Sequence, residues 1–485
     1  MLLNNKLYIL IIANLFTIIA AKTKKDTISS SNSLIKLPIY YINNEEHLNM
    51  NKNKRDEKTI ASVPLFNVNS REYLIEIGIG TPPQKFNLTL DTGSSDIWIT
   101  SSKCKKPNYC PDMKFIESDS STLNETNSLF EIQYGSGSAK GKIAYDTIVV
   151  NENQLILPAQ RIGLATITQG FSSPNRITSG VLGLGFSGLS NDPNENTFMM
   201  NLVKKKIINE PVFSIYLNRQ SEYGYKGEII LGGYETDKLM GLLQFLPVVP
   251  YEASNGKPLV GRYYNTQKGI YKYWTVPGQA LTVYDQNSLI YETKFEDVQA
   301  AILDSGTTLS YFPKDIVLEV LKTITVTDYE PLTLNGGEIQ AYQIKNCNQH
   351  MTNKKSLSFD FQFSSSASMF STTTAIVVIR VPLNELVLPQ DTNDINTAET
   401  CLFGLAPLSS GFSTSIGSSG SWILGQTVLR SAYIIHDMKE LQIGIGSMFN
   451  NDTLSSNTIS SSLMRTKNGL HNSMIIFSLF LFFLS

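Results

Sequence analysis

From Val63 onward, apolar and polar positions fall into short runs rather than at helical spacing. Tyr73-Leu74-Ile75-Glu76-Ile77, Phe86-Asn87-Leu88-Thr89-Leu90 and Ile143-Ala144-Tyr145-Asp146-Thr147-Ile148-Val149-Val150 are rich in branched and aromatic side chains, and Gly, Pro, Asn or Ser separate such runs. These side chains fit a pleated, half-buried surface, so the pattern predicts an all-β protein of many short strands. Helical periodicity is scarce and is carried best by Phe198–Lys205 and Lys314–Thr323.

The pattern also repeats at long range. Asp91-Thr92-Gly93-Ser94-Ser95 is followed by Ile97-Trp98, and Asp304-Ser305-Gly306-Thr307-Thr308 by Leu309-Ser310-Tyr311-Phe312. An apolar strand precedes each, Phe86–Leu90 and Val298–Leu303, and each half later offers an apolar-apolar-Gly element, Val181-Leu182-Gly183 and Ile423-Leu424-Gly425. One half reads as a diverged copy of the other. The expectation is two lobes, residues 56–235 and 236–447, each presenting one Asp-Ser/Thr-Gly loop to a cleft between them.

Outside this region the texture changes. Lys6 precedes an apolar run from Leu7 to Ala21 broken only by Asn14 and Thr17, the form of a secretory signal peptide over residues 1–21. Residues 22–55 are polar apart from Leu34–Tyr41, a patch able to pair as a strand, and they close on the dibasic pair Lys54-Arg55. They are read as a propeptide cut there by a processing protease. At the other end, residues 448–485 contain a Ser-rich stretch, a polar spacer and the apolar run Met474–Leu484. As a helix that run would extend about 17 Å, short of a hydrocarbon core. Small acceptor site, spacer and short apolar tail in that order match a glycosylphosphatidylinositol attachment signal, so membrane attachment through that lipid is expected.

Composition narrows the reading. The 485 residues are 42% apolar and 17% charged with a net charge of −2, which suits a globular chain and gives no basic patch for a nucleic-acid partner. Four cysteines in a secreted chain suit two disulfides, and three pairings are possible. The short separation of the first two favours Cys104–Cys110 and Cys347–Cys401. Asn124, Asn451 and Asn87 each begin an Asn-X-Thr sequon, with Asn87 in the strand leading to Asp91 and less open to modification. Of the histidines, His47 and His471 fall in segments expected to be removed, and His436 beside Asp437 is expected to cap or pair near a strand end. No HExxH, GxSxG or unpaired thiol offers another catalytic system, and no metal or other cofactor is expected.

The repeated loops suit one chemistry. Two carboxylates a few ångströms apart cannot both ionise easily, so one keeps a proton while the other loses it. The ionised member draws a proton from water and the protonated member donates, which is general base and acid catalysis of hydrolysis. Asp91 and Asp304 are the candidate pair, with Gly93 and Gly306 allowing close approach. Thr92 and Ser305 offer hydroxyls to tie the loops together, and Ser94 and Thr307 offer hydroxyls to orient the carboxylates.

At these residues the chain resembles the pepsin family of aspartic proteases over roughly residues 63–447. The matches are Ile79-Gly80-Thr81-Pro82-Pro83-Gln84, Leu90-Asp91-Thr92-Gly93-Ser94-Ser95-Asp96-Ile97-Trp98, Tyr134-Gly135-Ser136-Gly137, Gly180-Val181-Leu182-Gly183-Leu184-Gly185, Ala301-Ile302-Leu303-Asp304-Ser305-Gly306-Thr307 and Trp422-Ile423-Leu424-Gly425. The resemblance implies a bilobal β fold and an aspartic endopeptidase that binds peptide or protein substrates extended along the cleft. It also implies a hairpin flap in which Gly135 and Ser136 offer backbone contacts and Trp98 supports Tyr134 through its ring nitrogen. Within the family the chain is most similar to the fungal yapsins and candidapepsins, through Lys54-Arg55, the DTGSSD-apolar-Trp wording and the tail. A cell-surface enzyme active at acidic pH, acting as a monomer, is the resulting expectation. The rival is a surface binding protein that kept the fold and lost the activity; loss of either aspartate would point there, and both are present.

Overall fold

The computed structural model describes residues 35–42, 72–105, 110–135, 137–150, 155–171, 178–217, 219–220, 224–236, 239, 241–250, 270–334, 339–365, 376–408 and 422–447. The signal segment, Lys54-Arg55, Ser136, Asn451 and the apolar tail lie outside them. Among the described residues no helix is long and apolar enough to cross a membrane.

Strands dominate, and they form as the alternation dictates. In Ile376–Pro382 every second residue is buried, and Val377, Ile379 and Val381 face Phe363, Phe361 and Phe359 of the neighbouring Leu357–Ser364. Each buried Phe removes roughly 150–250 Å² from water, so such pairs contribute strongly to the core of the second lobe. The helix Lys314–Ile324 packs Ile316, Val317, Val320, Leu321 and Ile324 inward, one face of a 3.6-residue repeat. Asp315 in its first turn and Lys322 in its last complement the helix dipole. The second helical segment is observed at Phe198–Lys204.

Both disulfides pair as the spacing favoured, Cys104 with Cys110 and Cys347 with Cys401. The second spans 54 residues and ties the helix Cys347–Asn353 to the strand Thr400–Phe403. Closing a loop of that length in the unfolded chain is worth about 4 kcal/mol by chain entropy.

The repeat seen in the sequence is a repeat in space. Gln84–Asp91 runs parallel to Gly180–Gly183, with Leu90 opposite Leu182 and Asp91 opposite Gly183. Ser288–Leu303 runs parallel to Trp422–Leu424, with Ile302 opposite Ile423 and Leu303 opposite Leu424. Each aspartate therefore stands at the end of a buried strand, held by an apolar-Gly neighbour far away in sequence.

A 13-stranded sheet joins the two halves. The halves join where Tyr433–Asp437, from the second half, pairs antiparallel to Val212–Tyr216, from the first, the third and fourth strands from one edge. Ile35–Ile42, within the expected propeptide, is also a member and pairs with both Gly224–Leu231 and Glu72–Ile79. Lys36 on that strand forms an ion pair with Glu235 at 2.5 Å.

His436 corrects one expectation. It neither caps nor pairs: its ring is buried in the sheet, stacked flat on Phe213 at 4.5 Å and edge-on to Trp274 at 4.8 Å. Strand alternation turns Asp437 the other way, where its carboxylate accepts the N–H groups of Lys439 and Glu440 and the Gln442 side chain.

Candidate active site

The two Asp-Ser/Thr-Gly loops meet between the lobes. Their backbones are clamped by two hydroxyls. Ser305 N–H donates to Thr92 Oγ1 at 2.9 Å, and Thr92 N–H donates to Ser305 Oγ at 3.1 Å. Each hydroxyl then donates across the interface, Thr92 to the Leu303 carbonyl at 2.9 Å and Ser305 to the Leu90 carbonyl at 2.8 Å. All four groups are buried, so the bonds satisfy donors and acceptors that water cannot reach.

The carboxyl groups are oriented in the same way on both sides. Asp91 accepts the Gly93 N–H at 2.8 Å and the Ser94 hydroxyl; Asp304 accepts the Gly306 N–H at 2.9 Å and the Thr307 hydroxyl at 2.6 Å. The glycines permit the contact. A Cβ on Gly93 would lie 2.6–2.8 Å from the Asp304 carboxyl atoms, and one on Gly306 would lie 2.7 Å from Asp91 Cγ. Below the loops, Leu184 N–H donates to the Asp91 carbonyl and Gly185 N–H to the Ser94 carbonyl, at 2.8 and 2.7 Å. On the other side Asp304 N–H donates to the Leu424 carbonyl at 3.0 Å and Gln426 N–H to the Thr307 carbonyl at 2.8 Å.

This packing sets the acid–base chemistry. Burial, then the charge of Asp304, raises the Asp91 carboxyl well above the ordinary carboxylate range, against the hydrogen bonds from Ser94 and Gly93. Burial also raises Asp304, opposed by its bonds from Thr307, Asp91 and Gly306. Each carboxyl is raised in the presence of the other, which favours a single proton held by the pair.

Tyr134 ends the strand Asn124–Tyr134, and the hairpin partner begins at Gly137. Trp98 Nε1 donates to Tyr134 Oη at 2.8 Å, and Phe171 packs edge-on against both rings. Burial and then Asp91 raise the Tyr134 phenol well above its usual range, so it stays a neutral hydroxyl close to the pair. Gly135 lies in the turn. Of the sequons, Asn124 is exposed at the start of its strand. Asn87 is half-buried and the Thr89 hydroxyl of its sequon is engaged with Glu72 and Thr178.

Several contacts around the site had no local signal in the sequence. Asp96 is buried and accepts Arg161 Nη1 at 2.6 Å, Ser190 Oγ at 2.8 Å, and both nitrogens of Asn191. Gln426 reaches back to the Ser305 carbonyl at 2.8 Å. Trp274 donates to the Leu184 carbonyl at 3.0 Å and so crosses between halves. Tyr273 and Tyr311 also sense the pair: burial, then Asp304 and Asp91, pushes Tyr273 up to about 12, and burial followed by Asp304 raises Tyr311. Both are neutral hydroxyl groups across the range in which carboxyls titrate.

A strand-borne aspartate from each half, brought to its counterpart across a clamped interface, is the arrangement of an aspartic endopeptidase. A family model described as eukaryotic aspartyl protease matches residues 72–448, and the chain belongs to that family. Human gastricsin is 29% identical over 376 residues, covering 77% of this chain and 81% of gastricsin. Mucorpepsin of Rhizomucor miehei is 28% identical over 389 residues, 78% of each chain. Rhizopuspepsin of Rhizopus chinensis is 33% identical over 271 residues, 56% of this chain and 61% of that protein. These relatives support pepsin-like endopeptidase membership as a whole and do not single out a yapsin or candidapepsin subtype.

Proposed function

We propose that the protein is a secreted zymogen whose mature form hydrolyses peptide bonds between Asp91 and Asp304 at acidic pH, held at the cell surface. The observation that carries the reading is the meeting of the two Asp-Ser/Thr-Gly loops, locked by the reciprocal Thr92 and Ser305 bonds, with both carboxyls raised above their ordinary range. The ionised carboxylate takes a proton from a water molecule as that water attacks the substrate carbonyl. The protonated carboxyl gives its proton to the carbonyl oxygen, forming a neutral tetrahedral diol. Collapse of the diol returns one hydroxyl proton to the pair while the leaving nitrogen is protonated, and the C–N bond breaks. Two hydrogens and one oxygen of water end on the two products, and the pair is regenerated.

Tyr134 and the turn after it supply the lid, and the Trp98 bond fixes the ring's position. Secretion and surface attachment rest on the apolar segments at Leu7–Ala21 and Met474–Leu484, and zymogen processing on Lys54-Arg55. The strand Ile35–Ile42 seated in the interlobe sheet supports a propeptide that folds with the enzyme.

Asp91→Asn and Asp304→Asn are each expected to lower cleavage of a denatured protein substrate by at least about 10²–10⁴-fold. Turnover at the unsubstituted rate in either variant would refute the assignment. Release from cells by a phosphatidylinositol-specific phospholipase C is expected; fully soluble secretion without treatment would remove the anchor from the reading.

The pH dependence follows from the raised carboxyls. Activity needs one proton on the pair and disappears as pH rises through the raised value. The same groups act on stability. A folded-state value above the unfolded one means the dyad's contribution is full below the ordinary value of 3.8 and is lost as pH rises through the folded one. Thermal unfolding should therefore ease from acidic to alkaline pH. Asp91→Asn should flatten that slope; an unchanged slope would show that other groups set it.

A further inference from the structure

Beneath the clamp lies a second buried titratable group that hydrolysis does not use. His436 sits in the strand Tyr433–Asp437, where the halves join, and is 2% exposed. Its Nδ1 finds no hydrogen-bond partner among the described residues. It lines one small cavity, about 10 Å³, together with Thr92, Ser305, Ile215, Leu217 and Leu429. The two residues that lock the dyad loops thus share a cavity wall with an uncompensated imidazole.

We propose that His436 is an acid limit built into the clamp: when it takes up a proton, the interlobe sheet opens at Tyr433–Asp437 and Thr92 and Ser305 lose their reciprocal hold. The surroundings offer an imidazolium no carboxylate and no acceptor at Nδ1, only the face of Phe213. Phe213 and Trp274 cover the ring, Ile443 pairs beside it, and Leu429 lines the same cavity. Asp437 on the same strand is directed to Lys439, Glu440 and Gln442, and Arg430, next to Leu429, is directed to Glu385 and Gln220. The dyad carboxyls lie on the loops of Thr92 and Ser305 and exert no resolved pull on the ring, since burial is the one cause of its depressed value, about 3.

The sign is fixed by that depression. Neutral His436 contributes stability that is complete above the ordinary value of 6.5 and is lost as pH falls toward about 3. This opposes the dyad, which favours the fold at low pH. The protein is therefore bounded on the acid side by one buried group and on the alkaline side by another pair.

The test compares His436→Phe with the parent, both in the full chain carrying Asp304→Asn to prevent self-digestion. The ratio of unfolding constants, parent over variant, is expected to grow on the order of 100-fold between pH 7 and pH 4. A ratio independent of pH overturns the proposal. In the chain that retains both aspartates, a statine-type peptide should lose affinity toward pH 3 more steeply than in His436→Phe; equal loss shows that the clamp is not the element affected. Absence of statine binding at every pH would sink the protease reading instead, and the unfolding ratio would still decide this one. If the Phe variant does not fold, carbon-13 NMR of the His436 imidazole in the unsubstituted ring decides: it should stay neutral until unfolding, and titration near 6.5 in the folded protein overturns the inference.

Discussion

Asp96 and Leu309 stand at corresponding positions, each the fifth residue after its aspartate, and they hold their loops by opposite means. Asp96 is a buried carboxylate saturated by Arg161, Ser190 and Asn191. Leu309 is buried in an apolar cluster with Ile302, Tyr311 and Ile423. The hydroxyls and backbone bonds nearest the carboxyls match from one half to the other; the support a few ångströms further out does not. Geometry at the reacting groups is thus held in common, while the means of rigidity diverged. Trp98 and Tyr311 repeat the lesson, since they too correspond in position and Trp98 alone serves the flap strand through Tyr134.

The largest effect should come from breaking the charged support. Asp96→Leu leaves Arg161 buried without its partner, and a loss of about 3–5 kcal/mol is expected in denaturant unfolding. Adding Arg161→Met should recover most of it, giving the first lobe the apolar solution of the second. Failure to recover would mean that Ser190 and Asn191 depend on the carboxylate more than the arginine does. Leu309→Ala should cost about 2–5 kcal/mol through the cavity it leaves, with no rescue by a charge.

The shared clamp comes next. Thr92→Val and Ser305→Ala each strand a buried N–H and a carbonyl, at about 1–3 kcal/mol apiece. Because each hydroxyl serves the other's loop, the double variant should lose less than the sum, with a coupling of roughly 0.5–3 kcal/mol. Strict additivity would show that the loops are anchored independently. The smallest expected effect is Trp98→Phe, which removes one hydrogen bond to Tyr134 worth about 1 kcal/mol and should lower kcat/KM by about fivefold. A wild-type value would mean that Phe171 packing alone positions the flap.

What could be read in advance was local or repeated. The dyad loops were legible because strand, loop and later apolar-Gly element occur twice, and the helices Phe198–Lys204 and Lys314–Ile324 because their apolar spacing is helical. Arg161 was not legible as the partner of Asp96, since a pair separated by 65 positions leaves no periodic trace. Pairing of Tyr433–Asp437 with Val212–Tyr216 joins segments far apart in sequence and was hidden for the same reason. The His-Asp pair looks like a strand end, but every residue of Tyr433–Asp437 is buried, so polarity does not report exposure there.

The glycines of the two loops carry a consequence of their own. Gly93 is kept small by Asp304 and Gly306 by Asp91, so the constraint on each half is written in the other. Neither half has a reason within itself to refuse alanine. The reaction centre is in effect the interface of a dimer whose two subunits share one chain, and covalent linkage keeps them at an effective concentration on the order of millimolar or higher. A half severed from its partner would carry a single aspartate with an ordinary neighbourhood. Isolation, rather than mutation, would be the gentlest way to abolish it.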